Sequence, residues 1–191
     1  MAEEKTTKKA RKAEKKKFLA VSIPILNKEI ELFASSVEDL HNRDVKLDLT
    51  RELRGKSLEL SLSINVENNK AVALPKKIEL LGFFIRRMIR TGTDYVEDSF
   101  STECKDKKIR IKTFFITRRK VSRAVRKALK EKSKSELISY AKEKNFDEII
   151  SDIIDNIVQK ELSMKLKKVY PLALCEIRFL GIKIIVITFW E

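Results

Sequence analysis

The amino-acid sequence predicts an α+β fold: antiparallel hairpins fill the first part, and three or four helices followed by a final strand fill the rest. Three observations predict it. Leu58, Leu60, Leu62, Ile64 and Val66 alternate strictly with Glu59, Ser61, Ser63 and Asn65, the period of a half-dry strand. Further on, Val121, Ala124, Val125, Ala128 and Leu129 recur at three- and four-residue spacing, as along one helix face. Ser133 with Glu136 and Asn145 with Glu148 then repeat a capping-box pattern, the punctuation of helix starts.

In chain order, residues 1–17 carry eight basic and three acidic side chains and no large apolar group. Such a segment cannot offset its ordering entropy, so it reads as a disordered basic arm unless a polyanion orders it. Residues 18–191 read as a single globular domain, mainly β over 18–117 and mainly helical with a terminal strand over 118–191. FLAVSIPIL and KEIELF are short apolar segments interrupted by Pro24, and Val45, Leu47 and Leu49 alternate with charged residues. Asn68 and Asn69 supply turn chemistry, AVAL returns the strand, and Pro75 is expected to close it. Leu81, Phe84, Ile85, Met88 and Ile89 predict a short helix ended by Thr91 and Gly92. Val96, Phe100 and Cys104, then Ile109, Ile111 and Thr113, predict a second hairpin around KDKK, after which Thr117 serves as N-cap. Phe146, Ile149, Ile150, Ile153, Ile154 and Ile157 stripe a further helix, and a last one through Leu162 and Leu166 stops at Pro171. Apolar strand-like residues flank Gly181.

Composition excludes several kinds of chemistry. The four glycines are too scattered to build a Walker loop or a dinucleotide fingerprint. One histidine, His41, removes multi-histidine metal sites and reads as part of a polar loop. Cys104 and Cys175 are too few for a four-ligand cluster, read as small core residues, and suit a reducing compartment. The longest apolar stretch falls short of a membrane span and the basic N-terminus lacks the apolar core of a signal, so a cytosolic protein is expected. A chain of 191 residues with 43% hydrophobic residues can bury about 70% of its extended surface.

The formal charge is +14. Residues 1–17 contribute +5 and residues 105–134 contribute +12, leaving −3 on the other 144. Excess charge so concentrated points to a polyanion. Arg119, Arg123, Arg126, Lys127 and Lys130 fall on one helical face, where like charges repel unless phosphates compensate them. Arg118, Arg119 and Lys120 stand where hairpin meets helix, and Arg86, Arg87 and Arg90 flank the stripe of the short helix. With Lys8, Lys9, Arg11, Lys12, Lys15, Lys16 and Lys17 of the arm, these are the candidate RNA contacts. Phe83, Phe84, Phe114 and Phe115 read as core, so recognition through backbone and shape is expected rather than base stacking. Asp94, Glu97 and Asp98 are the densest carboxylates near the basic residues, but on a strand Glu97 and Asp98 point to opposite faces. Two alternatives remain: a peripheral membrane-surface protein, and a metal-dependent nuclease using these carboxylates.

Several segments together resemble the archaeal and eukaryotic small-subunit ribosomal protein family S-one-e, also called S-three-a-e. They are KKKFLAVSIP, DLTRELRGKSLEL, RRMIRTGTDYVEDSF, KDKKIRIKTFFITRRKVSRAVRKAL and KELSMKLKKVYPLALCEIR, in order across roughly residues 15 to 180. The chain departs from that pattern with Phe18 in place of the usual tryptophan, Lys107 in place of a turn glycine, and an apolar ending, IIVITFWE. The resemblance implies a β-barrel-like N-terminal domain followed by helices, on the platform of the small subunit near the messenger RNA exit. It implies contacts with small-subunit ribosomal RNA and neighbouring ribosomal proteins, messenger RNA near the exit channel, a cytoplasmic location, no enzymatic activity, and no cofactor or metal.

Overall fold

The computed structural model describes residues 16–53, 55–67 and 70–183. Its strands are β1 (Lys17–Ile23), β2 (Lys28–Ala34), β3 (Asp44–Asp48), β4 (Leu58–Glu67), β5 (Lys70–Leu80), β6 (Tyr95–Glu103), β7 (Lys108–Thr117) and β8 (Leu172–Ile182). Its helices are α1 (Gly82–Met88), α2 (Arg123–Glu143), α3 (Phe146–Ile154) and α4 (Ile157–Lys167). The chain divides into two units, residues 1–43 with 64–73, and residues 44–63 with 74–191.

In the first unit Pro24 ends β1 by starting a single tight turn, and Asn27 closes that turn at φ 50°, a left-handed backbone that asparagine tolerates. β2 returns antiparallel, with Phe18 opposite Phe33 and Ile23 opposite Lys28. β1 also runs parallel to the start of β5, Val21 facing Ala71. Val21, Ile23, Leu40, Ile64 and Ala73 are buried there.

In the second unit β3 pairs antiparallel with β4, and β8 lies between β5 and β7 with β6 beyond β7, all antiparallel. Leu58, Leu60, Leu62, Ile78, Phe114, Phe115 and Leu180 are buried almost completely, so the period-two reading of β4 and of the β6–β7 hairpin holds. α2 packs against β6, and α4 packs against β8 and α3. Lys56 and Glu176 form an ion pair inside this unit, Nζ to Oε2 2.5 Å, with only 10% and 11% of their side chains exposed. Lys56 also donates to the Asn156 side-chain oxygen at 2.7 Å, which joins the residues before β4, the α3–α4 turn and β8 at one point.

Four expectations are corrected. The strands form an open sheet and not a barrel: among the described residues β2 pairs only with β1 and β6 only with β7. Pro75 does not close the β4–β5 hairpin. It lies buried inside β5, in the interval between Ala71 and Val72, which pair with β1, and Lys77 to Glu79, which pair with β8. Thr117 is the last residue of β7, and the N-cap is Ser122, whose hydroxyl accepts from the Val125 N–H at 3.4 Å. Ser133 starts no new helix, because α2 runs unbroken for 21 residues and the Ser133 hydroxyl donates back to the Lys130 carbonyl at 2.8 Å. The Asn145 capping box is present as expected, with Glu148 accepting from the Asn145 N–H at 3.1 Å.

Beside that cap, Lys144 bonds the Asp152 carboxylate at 2.6 Å and Tyr140 bonds it at 2.6 Å. Burial works to raise the Asp152 pKa, but these two donors outweigh it and hold the carboxyl below its ordinary range. Burial and the same carboxylate push the Tyr140 phenol up to about 12.

Candidate nucleic-acid interface

The basic stretch is held by one threonine and one aspartate. Thr117, fully buried, accepts from the Asp94 N–H at 3.0 Å and donates to the Arg119 carbonyl at 2.7 Å. The Asp94 carboxylate accepts from the Val121 N–H at 2.8 Å. These bonds fix the backbone of residues 118–121 between β7 and α2 and leave the side chains of Arg118, Arg119 and Lys120 exposed.

α2 then carries Arg123, Arg126, Lys127 and Lys130 along a groove of about 520 Å³ whose other wall is Tyr95, Val96 and Glu97 of β6. Glu97 is already engaged, by Arg178 and by the Tyr95 hydroxyl. Lys127 has one exposed partner, Glu131 at 3.7 Å. An ion pair of that kind contributes only about 0.3–0.5 kcal/mol. Among the described residues Arg123, Arg126 and Lys130 have no acidic partner within salt-bridge distance, and the Arg126 Nε is buried without a hydrogen-bond acceptor. Four cations facing a groove with one committed carboxylate form a positive surface, and guanidinium groups suit phosphate.

The helical face differs from the one expected. Arg119 precedes α2 and belongs to the pinned loop, while Ala124 and Ala128 are exposed rather than dry. The buried stripe is Leu129, Ser133, Leu137 and Ala141, which turns Arg126 and Lys130 half inward to the groove.

The other candidates lie elsewhere. Arg86, Arg87 and Arg90 are exposed on or just after α1, outside the groove lining. Arg87 is partly committed, since it donates to the Gly55 carbonyl at 3.2 Å and lies 5.3 Å from the Phe84 ring centre. Lys17 opens β1, Lys16 sits just before it, and Lys8, Lys9, Arg11, Lys12 and Lys15 lie outside the described residues, as does the apolar ending beyond Lys183. Tyr95 was missed by sequence reasoning, although it follows from the alternation that turns Val96 inward. Phe84, Phe114 and Phe115 are buried, but Phe83 is half exposed and is corrected from core to surface.

Two of the remaining polar residues, Asp94 and Glu97, are engaged inside the fold. Asp94 caps the loop, Glu97 holds Arg178, and Glu97 and Asp98 are neighbours on one strand. His41 is exposed after a short turn. Burial pushes the half-buried Cys104 thiol up to about 11 and raises the buried Cys175 thiol as well, which disfavours the thiolate in both.

The model of the Ribosomal S3Ae family matches residues 4–185. The chain belongs to the Ribosomal S3Ae family. Its similarity extends to proteins named small ribosomal subunit protein eS1. That of Methanobrevibacter smithii is 25% identical over 187 residues, 93% of this chain and 96% of that protein. Those of Methanothermobacter thermautotrophicus and Nanoarchaeum equitans are 26% and 24% identical, covering 85% and 82% of this chain and 87% and 83% of theirs. Within this Ribosomal S3Ae member, the KDKKIRIKTFFITRRKVSRAVRKAL stretch is the segment that forms β7, the pinned loop and the groove wall. Two other stretches of the resemblance, around Lys56 and Glu176, meet in the buried ion pair.

Proposed function

We propose that this chain is a structural constituent of the small ribosomal subunit in the cytoplasm, and that it binds ribosomal RNA through the loop 118–120 and the first turns of α2. The observation that carries this reading is the groove in which Arg123, Arg126, Lys127 and Lys130 converge with so little acidic compensation. Membership of a ribosomal family supports ribosomal RNA as the polyanion. Arginine and lysine along a helix bind phosphate by charge and by counterion release, without reading sequence. We extend the proposal to a finer position that the resemblance supports, the platform near the messenger RNA exit, with neighbouring small-subunit proteins and messenger RNA as partners. We read the role as structural and not catalytic; Asp94 fastens the loop and Glu97 holds Arg178.

Sedimentation of cell extract through a gradient tests the assignment. Co-migration of the chain with the small subunit is expected at physiological salt. Its persistence in the free-protein fractions would refute a ribosomal role.

A further inference from the structure

The first unit carries a feature that the α2 groove does not use. Phe18 of β1 and Phe33 of β2 are register partners on one face of the hairpin, and their ring centres lie 5.2 Å apart at 49°. A cross-strand aromatic pair stabilises a hairpin, but these two rings remain 69% and 51% exposed, so most of their apolar surface still faces water. Cations gather beside them. Lys16 Nζ lies 6.0 Å from the Phe33 ring centre, and an Arg43 guanidinium N–H donates to the Phe33 carbonyl at 3.4 Å. Along the same face the next positions are Ala20 opposite Glu31 and Ser22 opposite Glu29. The large exposed apolar side chains of this face are therefore the two rings, with only Ala20 beside them, an area too small for a protein helix to dock on but matched to one or two nucleobases. The carboxylates lie away from the cationic end.

We propose that Phe18 and Phe33 form a stacking platform for unpaired bases of single-stranded RNA, with Lys16 and Arg43 meeting the adjoining phosphates. Every base has a π-face, so the platform takes single strands without strong sequence preference. A paired duplex hides its base faces and gains nothing from the rings. The proposal does not depend on the α2 groove, because a duplex probe reads phosphate binding without stacking.

The test uses the full chain, a fluorescein-labelled twelve-nucleotide oligouridylate and a labelled RNA duplex of equal length, with binding followed by anisotropy at one salt concentration. The double variant Phe18→Leu with Phe33→Leu keeps apolar bulk and removes the π-faces. It is expected to bind the single strand about tenfold more weakly and the duplex unchanged. An equal loss on both probes, a loss on the duplex alone, or no loss would overturn the platform. Should the leucine variant fold poorly by circular dichroism, Phe33→Trp keeps a ring and adds a reporter above the Trp190 background. Its added emission is expected to be quenched by the oligouridylate, and emission unchanged at saturation would overturn the proposal.

Discussion

Replacing Arg119, Arg123 and Lys127 together by glutamate is expected to lower the salt slope of RNA binding by about two to three units. Each phosphate contact releases counterions and contributes about 0.9 of a unit on a B-form DNA duplex and about 0.7 on a single strand, so three lost contacts account for the change. All three side chains are exposed, and none of the bonds that pin residues 118–121 uses them, because Thr117 takes the backbone carbonyl of Arg119. The fold should therefore survive. Glutamate at position 123 even stands in the first turn of α2, where a negative side chain is favourable. Among the described residues the costs are the Lys127–Glu131 pair, replaced by a like-charge pair at a cost of a few tenths of a kcal/mol, and two new carboxylates on the groove that Glu97 also lines. Affinity measured at three or more salt concentrations gives the slope. An unchanged slope would remove this face from the binding surface.

The largest effect on stability is expected from Lys56→Met. Glu176 would then be left at about one-tenth exposure with no cation beside it among the described residues, and removing one partner of a buried pair costs about 3–5 kcal/mol. Against the 5–15 kcal/mol that holds a typical domain, such a loss is large. The double replacement Lys56→Met with Glu176→Leu removes both charges and is expected to recover most of the loss, since apolar residues of similar volume often replace a buried pair without penalty. Urea unfolding of the two variants and the native chain measures this. A loss for Lys56→Met below about 1 kcal/mol would mean that the pair is solvated like a surface ion pair.

Neither partner of that pair was legible in the sequence, because 119 residues separate them and each looks like an ordinary surface charge. What was legible rests on local repetition. The period-two runs of β4, β6 and β7 and the Asn145 capping box need only neighbouring residues, and all are found. The errors arise where a local signal competes with a longer-range one. Ser133 with Glu136 imitates a helix start, yet extending a helix that already exists costs far less than nucleating another, and no glycine or proline interrupts Arg123 to Glu143. Pro75 reads as a stop unless the pairing on each side of it is known. Closure of the sheet depends on which strands find partners, which no local pattern encodes.

For the candidate site, composition located the basic stretch but not its geometry. The Ala and Val positions before Leu129 suggested a dry stripe, whereas the larger Leu129 and Leu137 decide which side of α2 is buried and rotate Arg126 and Lys130 to the groove. Asp94 looked like a candidate metal ligand and proves to be the residue that fastens the basic loop.

The start of α2 is proposed to lie against ribosomal RNA. The most direct measurement places a photoreactive phenylalanine derivative at Ala124, an exposed position beside Arg123, and irradiates small subunits that have incorporated the full chain. Cross-links from position 124 to ribosomal RNA are the predicted result. Cross-links to protein alone would contradict it.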